Sequence, residues 1–258
     1  MKYPPKKSKL PPNICKKCMI CRCTPDVKPE PKPEPEPEPQ RPPPLRPIVV
    51  DWTAHQMDPH PRSRIVAGAT ALRPLESIDS VVLHQTGVLL PAGKHLIRAH
   101  GGDTTLARYA RAARVPAHSV VLRDEGAVRV NDARRYLYHA GPLNSRSYAY
   151  EIEGRFPGLS GDPDGTTWGG EPTVLSELQV VSCREDIRMI CDEIPTIQYI
   201  LAHRQSSRSR RSDPGEEVWR EIAVWCAERY NLRLRPIATW SDGLPIPEEW
   251  QAGTGARY

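Results

Sequence analysis

The chain contains no run approaching the roughly 18–20 consecutive apolar residues that a membrane-crossing helix needs. A helical transmembrane segment is therefore not expected. The N-terminus, Met1-Lys2-Tyr3-Pro4-Pro5, has basic residues nearby but no continuous apolar segment of about 7–15 residues behind them. No secretory signal is expected, and localisation stays open: synthesis in the cytoplasm, with release by another route if the substrate lies outside. A surplus of basic charge is also missing from the body of the chain. Formal net charge is +5, but residues 1–48 hold eleven Lys/Arg against five Asp/Glu, so the surplus belongs to that leader. A near-neutral body offers no cationic face to a phosphate backbone, and nucleic acid is excluded as an expected partner. Cysteine pairs are missing from the body too. Of seven cysteines, Cys15, Cys18, Cys21 and Cys23 crowd into the leader, while Cys183, Cys191 and Cys226 are scattered. An odd number without a close CxxC does not make a disulfide framework, so a reducing compartment is preferred.

Proline marks the first boundary. Fifteen of 29 prolines fall within residues 1–48, and the alternating Pro-Lys/Glu run from Lys28 to Pro39 lacks an N–H at every second position. It predicts an extended polyproline II spacer, on the order of 50 Å over residues 28–44 at ~3.1 Å per residue. The expected organisation is a disordered Cys/Lys- and Pro/Glu-rich leader and linker over 1–48, a catalytic domain over 49–235, and a peripheral Pro/Gly-rich tail over 236–258.

The body alternates strands and helices. Residues 78–83 read as a buried strand ending at His84, and 105–114 as a helix behind an Asp103 or Thr104 cap. Residues 120–122 and 127–130 flank Asp124-Glu125-Gly126 as a hairpin. Residues 148–152 alternate as a strand, and a Gly/Asp/Pro-rich loop occupies 157–172. Beyond Ser176, Val180, Cys183, Ile187, Ile190 and Ile194 recur at helical spacing. Tyr199-Ile200-Leu201-Ala202 is a strand ending at His203, and a last helix covers about 214–230. The fold class is α/β: a central sheet flanked by helices.

Two histidines, His84 and His203, thus sit at strand ends, where α/β sheets gather their sites. Asp213 follows ten residues after His203. Two imidazoles and a carboxylate can hold Zn²⁺ with its fourth position available for catalysis. Each residue also has a plainer reading. A strand-end histidine can be a hydrogen-bonded structural residue, and Asp213, followed by Pro214, has the form of a helix N-cap with proline at N1. Glu151 shares a strand face with Glu153 and could be an ordinary strand carboxylate.

The segments Leu137-Tyr138-His139-Ala140-Gly141 and Asn144 through Gly154, together with Val115-Pro116-Ala117-His118, the His84 strand and the stretch from His203 to Gly215, resemble the type-2 N-acetylmuramoyl-L-alanine amidases and peptidoglycan recognition proteins. The resemblance covers roughly residues 76–230 and implies that the central sheet is mixed, with helices packed on it. It implies zinc held by His84, His203 and Asp213, with Glu151 as general base. It also implies that Arg211 stabilises the oxyanion where the family usually has Lys, and that His139 and Asn144 lie around the substrate groove. His118 is expected to pack rather than ligate. The implied substrate is peptidoglycan or a muropeptide, cut between N-acetylmuramic acid and L-alanine, by a monomer. Two departures stand out: Ala149 replaces a usual Gly, and the Arg-rich segment between His203 and Asp213 lacks the usual Pro-Gly turn. That segment is either a solvated basic loop or one that binds stem-peptide carboxylates. Two alternatives remain: a peptidoglycan-binding receptor without catalysis, and the same chemistry used as a phage lysin or antibacterial effector. The Cys15–Cys23 cluster is either a tight metal site or a Lys/Cys-rich tail, dispensable for the amidase.

Overall fold

The computed structural model describes residues 45–158, 171–235 and 238–251. The expected cysteine cluster and Pro-Glu spacer lie outside the described residues, as does most of the 157–172 loop. Nine strands follow one another along the described chain. Two of them, β2 (Ile65–Val66) and β3 (Ala69–Thr70), form a separate antiparallel hairpin. The others are β1 (Val49–Asp51), β4 (Ser80–Gln85), β5 (Ser119–Leu122), β6 (Gly126–Arg129), β7 (Ser147–Ile152), β8 (Tyr199–Ala202) and β9 (Arg233–Leu234). These seven make one sheet in the order β1-β6-β5-β7-β4-β8-β9. Only β5 and β6 pair antiparallel; the other neighbours are parallel. The sheet is mixed, as expected.

The central strand β4 is buried at every position, as a parallel strand covered on both faces must be. One face carries Val81 and Leu83 of β4 with Tyr148, Tyr150 and Ile152 of β7. Against it pack α3 (Glu177–Glu193) and a last helix. That helix begins as α4 (Glu216–Val218), passes through a π-helical stretch (Trp219–Val224) and ends as α5 (Trp225–Tyr230). Val180, Cys183, Ile187 and Ile190 of α3 all enter this core, so their helical spacing is a core stripe. Ser176 starts α3 through a capping box with Gln179.

On the other face, α1 (Lys94–Ala99) precedes α2 (Thr104–Ala112), whose first turn is capped by Asp103 accepting from Leu106 N–H at 3.0 Å. Tyr109 and Ala112 of α2 pack on Val120, Leu122, Val128 and Ala149. The helices leave the neighbouring part of this face, where β4, β7 and β8 end, to His84, Glu151 and His203.

The C-terminal segment is not peripheral over its described part. Ile246 and Trp250, the latter in α6 (Glu248–Gln251), are buried in the main core. Leu244 N–H donates to the Arg204 carbonyl at 2.8 Å, and the Arg204 guanidinium lies 4.9 Å over the Trp250 ring. Burying an indole outweighs the helix-breaking composition around it. The segment thereby buttresses the loop that leads from His203 to Asp213.

Candidate metal centre

Three chain segments meet at the ends of β4, β7 and β8. His84 and Glu151 are register partners on adjacent parallel strands, and His203 directly follows β8. Asp213 arrives from the loop. His84 Nδ1 lies 2.9 Å from His203 Nδ1, and His203 Nδ1 lies 2.9 Å from Asp213 Oδ2. His84 Nδ1 is 3.6 Å from the same carboxylate oxygen. All three residues are buried.

Asp213 is not the helix cap that its local sequence allows. The N-cap of α4 is Gly215, at φ +95°, with no side-chain cap bond. A Cβ there would collide with the Phe156 carbonyl, which restricts the position to glycine. Asp213 Oδ1 instead accepts from the Gln85 backbone N–H at 2.9 Å, leaving Oδ2 to the histidines. The Gln85 side chain donates to the carbonyls of Phe156 and Ser212 and accepts from Phe156 N–H. Gln85 therefore pins the loop on both sides of the site.

Burial, reinforced by His203 alongside, depresses the His84 imidazole from 6.5 to about 4. Burial works against ionisation of Asp213, but the hydrogen bond with His203 and the His84 ring alongside outweigh it and hold the carboxyl well below its usual range. Glu151 goes the other way: burial and the neighbouring Asp213 carboxylate push it well above the ordinary carboxyl range, against the pull of Arg210. Its Oε2 has no hydrogen-bond partner among the described residues.

Two imidazole nitrogens and a carboxylate oxygen lying within 4.8 Å of one another fit a metal ion. One hydrogen at most can occupy the gap between two nitrogens 2.9 Å apart, and a neutral His84 beside an ionised Asp213 offers lone pairs. The N,N,O donor set suits Zn²⁺ at a site with a further position available.

His203 and Asp213, beside which His84 lies, border a cleft of about 370 Å³ also lined by Glu151, His139, Arg62 and Arg210. The predicted ligands and Glu151 are thus brought together; Arg211 is not among them. Arg211 is exposed and absent from the cleft lining. Successive residues of a 3₁₀ turn point about 120° apart. The turn Arg208–Arg210, continued by Arg211 in αR conformation, sends Arg210 to the cleft and its neighbour to the surface. Asn144 does not line the cleft either. Its Oδ1 accepts from the backbone N–H groups of His139 and Ala140 at 2.9 and 2.7 Å, so it shapes the loop. His139 does reach the cleft, with Nδ1 3.1 Å from His84 Nε2. His118 packs as expected, its Nδ1 accepting from Ala149 N–H at 2.9 Å. Sequence reasoning passed over Gln85 and Arg62, and it met Arg210 only as one member of the Arg-rich segment before Asp213. Gln85 had one usable signal, its place directly after a strand-end histidine; the arginines had none that set them apart from other surface arginines.

The family model Amidase_2, described as N-acetylmuramoyl-L-alanine amidase, matches residues 74–216, more than half of the chain and every residue that converges on the cleft except Arg62. The chain belongs to the Amidase_2 family. No curated protein matches this Amidase_2 chain. Among solved structures it is similar to the N-acetylmuramoyl-L-alanine amidase LysC from Clostridium intestinale URNW, at 14% identity and TM-score 0.46 over 73% of this chain and 100% of that one. The Ph2119 endolysin of a Thermus scotoductus bacteriophage gives 14% and 0.42, over 70% and 97%. Drosophila peptidoglycan recognition protein SD gives 13% and 0.43, over 77% and 97%. Likenesses this loose assign nothing further to the chain.

Proposed function

We propose that this Amidase_2 chain is a zinc-dependent hydrolase that cuts the amide between N-acetylmuramic acid and L-alanine in peptidoglycan or muropeptides. The observation that carries this reading is the convergence of His84 Nδ1, His203 Nδ1 and Asp213 Oδ2 beside a cleft that the Glu151 carboxylate also lines. Zn²⁺ held by those three residues would supply Lewis acidity toward the scissile carbonyl and bring the pKa of water toward ~7.

The other roles belong to the chain itself. Glu151 takes a proton from the attacking water and returns it to the departing L-alanine nitrogen. Its environment suits both proton transfers, because Asp213 raises its proton affinity and Arg210 moderates it. Arg210, rather than Arg211, supplies positive charge toward the developing oxyanion, and as a guanidinium it acts by electrostatics without surrendering a proton. Asp213 remains ionised and fixed by Gln85, so the site needs no rearrangement to hold a cation.

The test incubates the purified full chain with a defined muramoyl-peptide, with zinc and after chelation, and identifies products by mass spectrometry. Zinc-dependent release of the intact peptide with a free L-alanine amine is expected. Substrate that binds yet stays whole in the presence of zinc would make the cleft a receptor site.

A further inference from the structure

We propose that Ser147 and His139 form a relay that sets the tautomer of His84, so that His84 meets the metal through Nδ1. The direction of every bond in the relay follows from its first member. The Leu143 carbonyl can only accept, and Ser147 Oγ lies 2.7 Å from it, which commits the hydroxyl proton. At 3.1 Å from His139 Nε2, the serine oxygen can then only accept, so Nε2 carries the hydrogen. No carboxylate contacts His139 among the described residues, and a ring with one N–H keeps a lone pair on Nδ1. That lone pair faces His84 Nε2 at 3.1 Å and requires the hydrogen there. His84 Nδ1 is left with its lone pair directed at the place where His203 Nδ1 and Asp213 Oδ2 converge.

Leu143, Ser147 and His84 are at 0%, 0% and 1% exposure, so water does not readily replace Ser147, while His139, 9% exposed, meets the cleft. Its backbone is held from below. The buried Arg73 guanidinium donates to the carbonyls of Asn144 and Ser147, each at 2.6 Å, and Asn144 in turn holds the His139 backbone. Ser147, His139, Asn144 and Arg73 are positioning residues. Outer partners of this kind fix the orientation and tautomer of a ligating imidazole.

The inference rests on the zinc reading, but its first test needs no metal. Long-range ¹H–¹⁵N spectra of the metal-free full chain should show His84 protonated on Nε2. His139→Leu and Ser147→Ala should produce mixed tautomers and weaken zinc binding, measured against a chromophoric chelator, by about 10–100-fold. His139→Asn, which keeps an acceptor facing His84, should recover most of that loss; a merely structural role would not track the acceptor. A wild-type His84 protonated on Nδ1, or folded His139→Leu and Ser147→Ala variants that bind zinc undiminished, would overturn the relay. If the wild type keeps the Nε2–H tautomer and loses it in the variants, yet binds no zinc, the relay stands and the metal reading falls.

Discussion

The two faces of strand β7 divide the labour of the molecule. Tyr148, Tyr150 and Ile152 point into the dry core beneath α3, while Ala149 and Glu151 point to the face that carries the cleft. Glu151 and Glu153, the latter just past the strand's end, also differ from each other. Glu153 is buried but satisfied, accepting from Leu90 and Arg123 N–H groups at 2.6 and 2.8 Å and from Arg108 at 2.5 Å. Glu151, two residues earlier, has a buried oxygen without a partner and a raised proton affinity. Identical side chains two residues apart end up fully bonded in one case and with an unpartnered oxygen and a raised proton affinity in the other, solely through what surrounds them.

The largest effect should come from exchanging these two. Glu151→Gln should lower kcat by about 10²–10⁴ with zinc retained, the range for losing a general base. Glu153→Gln should instead cost stability, by about 1–3 kcal/mol in urea unfolding, because it weakens the buried bonds from Leu90, Arg123 and Arg108 while Arg108 keeps its pair with Glu125. If folded Glu153→Gln lost turnover as completely as Glu151→Gln, the division would fail. On the dry face, Ile187→Ala should cost about 2–5 kcal/mol with zinc affinity unchanged, since its cavity opens on the side away from the metal centre.

Smaller changes sharpen the picture of the cleft. Arg210→Ala should lower kcat/KM by about 10–100-fold, as expected for losing about 1.5–3 kcal/mol of charge-assisted interaction. Arg211→Ala, at the surface, should leave kcat/KM nearly unaltered; the reverse result would restore the sequence expectation. The smallest effect is in the acid stability of the metal-free protein. Burial lowers the proton affinity of His84, His118 and His139, so below the ordinary 6.5 the unfolded chain binds more protons and stability falls with acid, to about pH 4 for His84. Glu151 has the opposite sign, because above its ordinary 4.5 the folded state is the one that keeps the proton. His60 is lowered in the same way, while burial raises Glu125 and Asp186 as it does Glu151. The imidazoles gain charge across the whole interval, so thermal melts from pH 6.5 toward 4 should show declining stability. Glu151→Gln should show a steeper decline.

The periodic elements were legible. The strand at 199–202 and the helix behind Ser176 follow from apolar spacing alone, because a long amphipathic stripe or a short apolar run satisfies only one regular structure at that length. Two-residue strands such as β9 carry no period and were not foreseen. Trp250 was hidden for the same reason: a single indole amid Pro and Gly gives no pattern, yet its area makes it core. The site was legible as far as residue types and motif order reached. Arg210 and Arg211 are indistinguishable in one dimension, since only the phase of a 3₁₀ turn separates them.

By itself, then, the sequence determined which residues could ligate, which strands would carry them to a common edge, and where the apolar stripes of the core lie. These properties follow from side-chain chemistry and from backbone periods that act over a few residues. Tertiary structure decided whether Asp213 would cap a helix or face two histidines, and it did so through the Gln85 N–H, 128 positions away. It also decided which arginine meets the cleft and which of two glutamates is left with an unpartnered buried oxygen. Those choices depend on burial and on partners distant along the chain, and a local pattern contains neither.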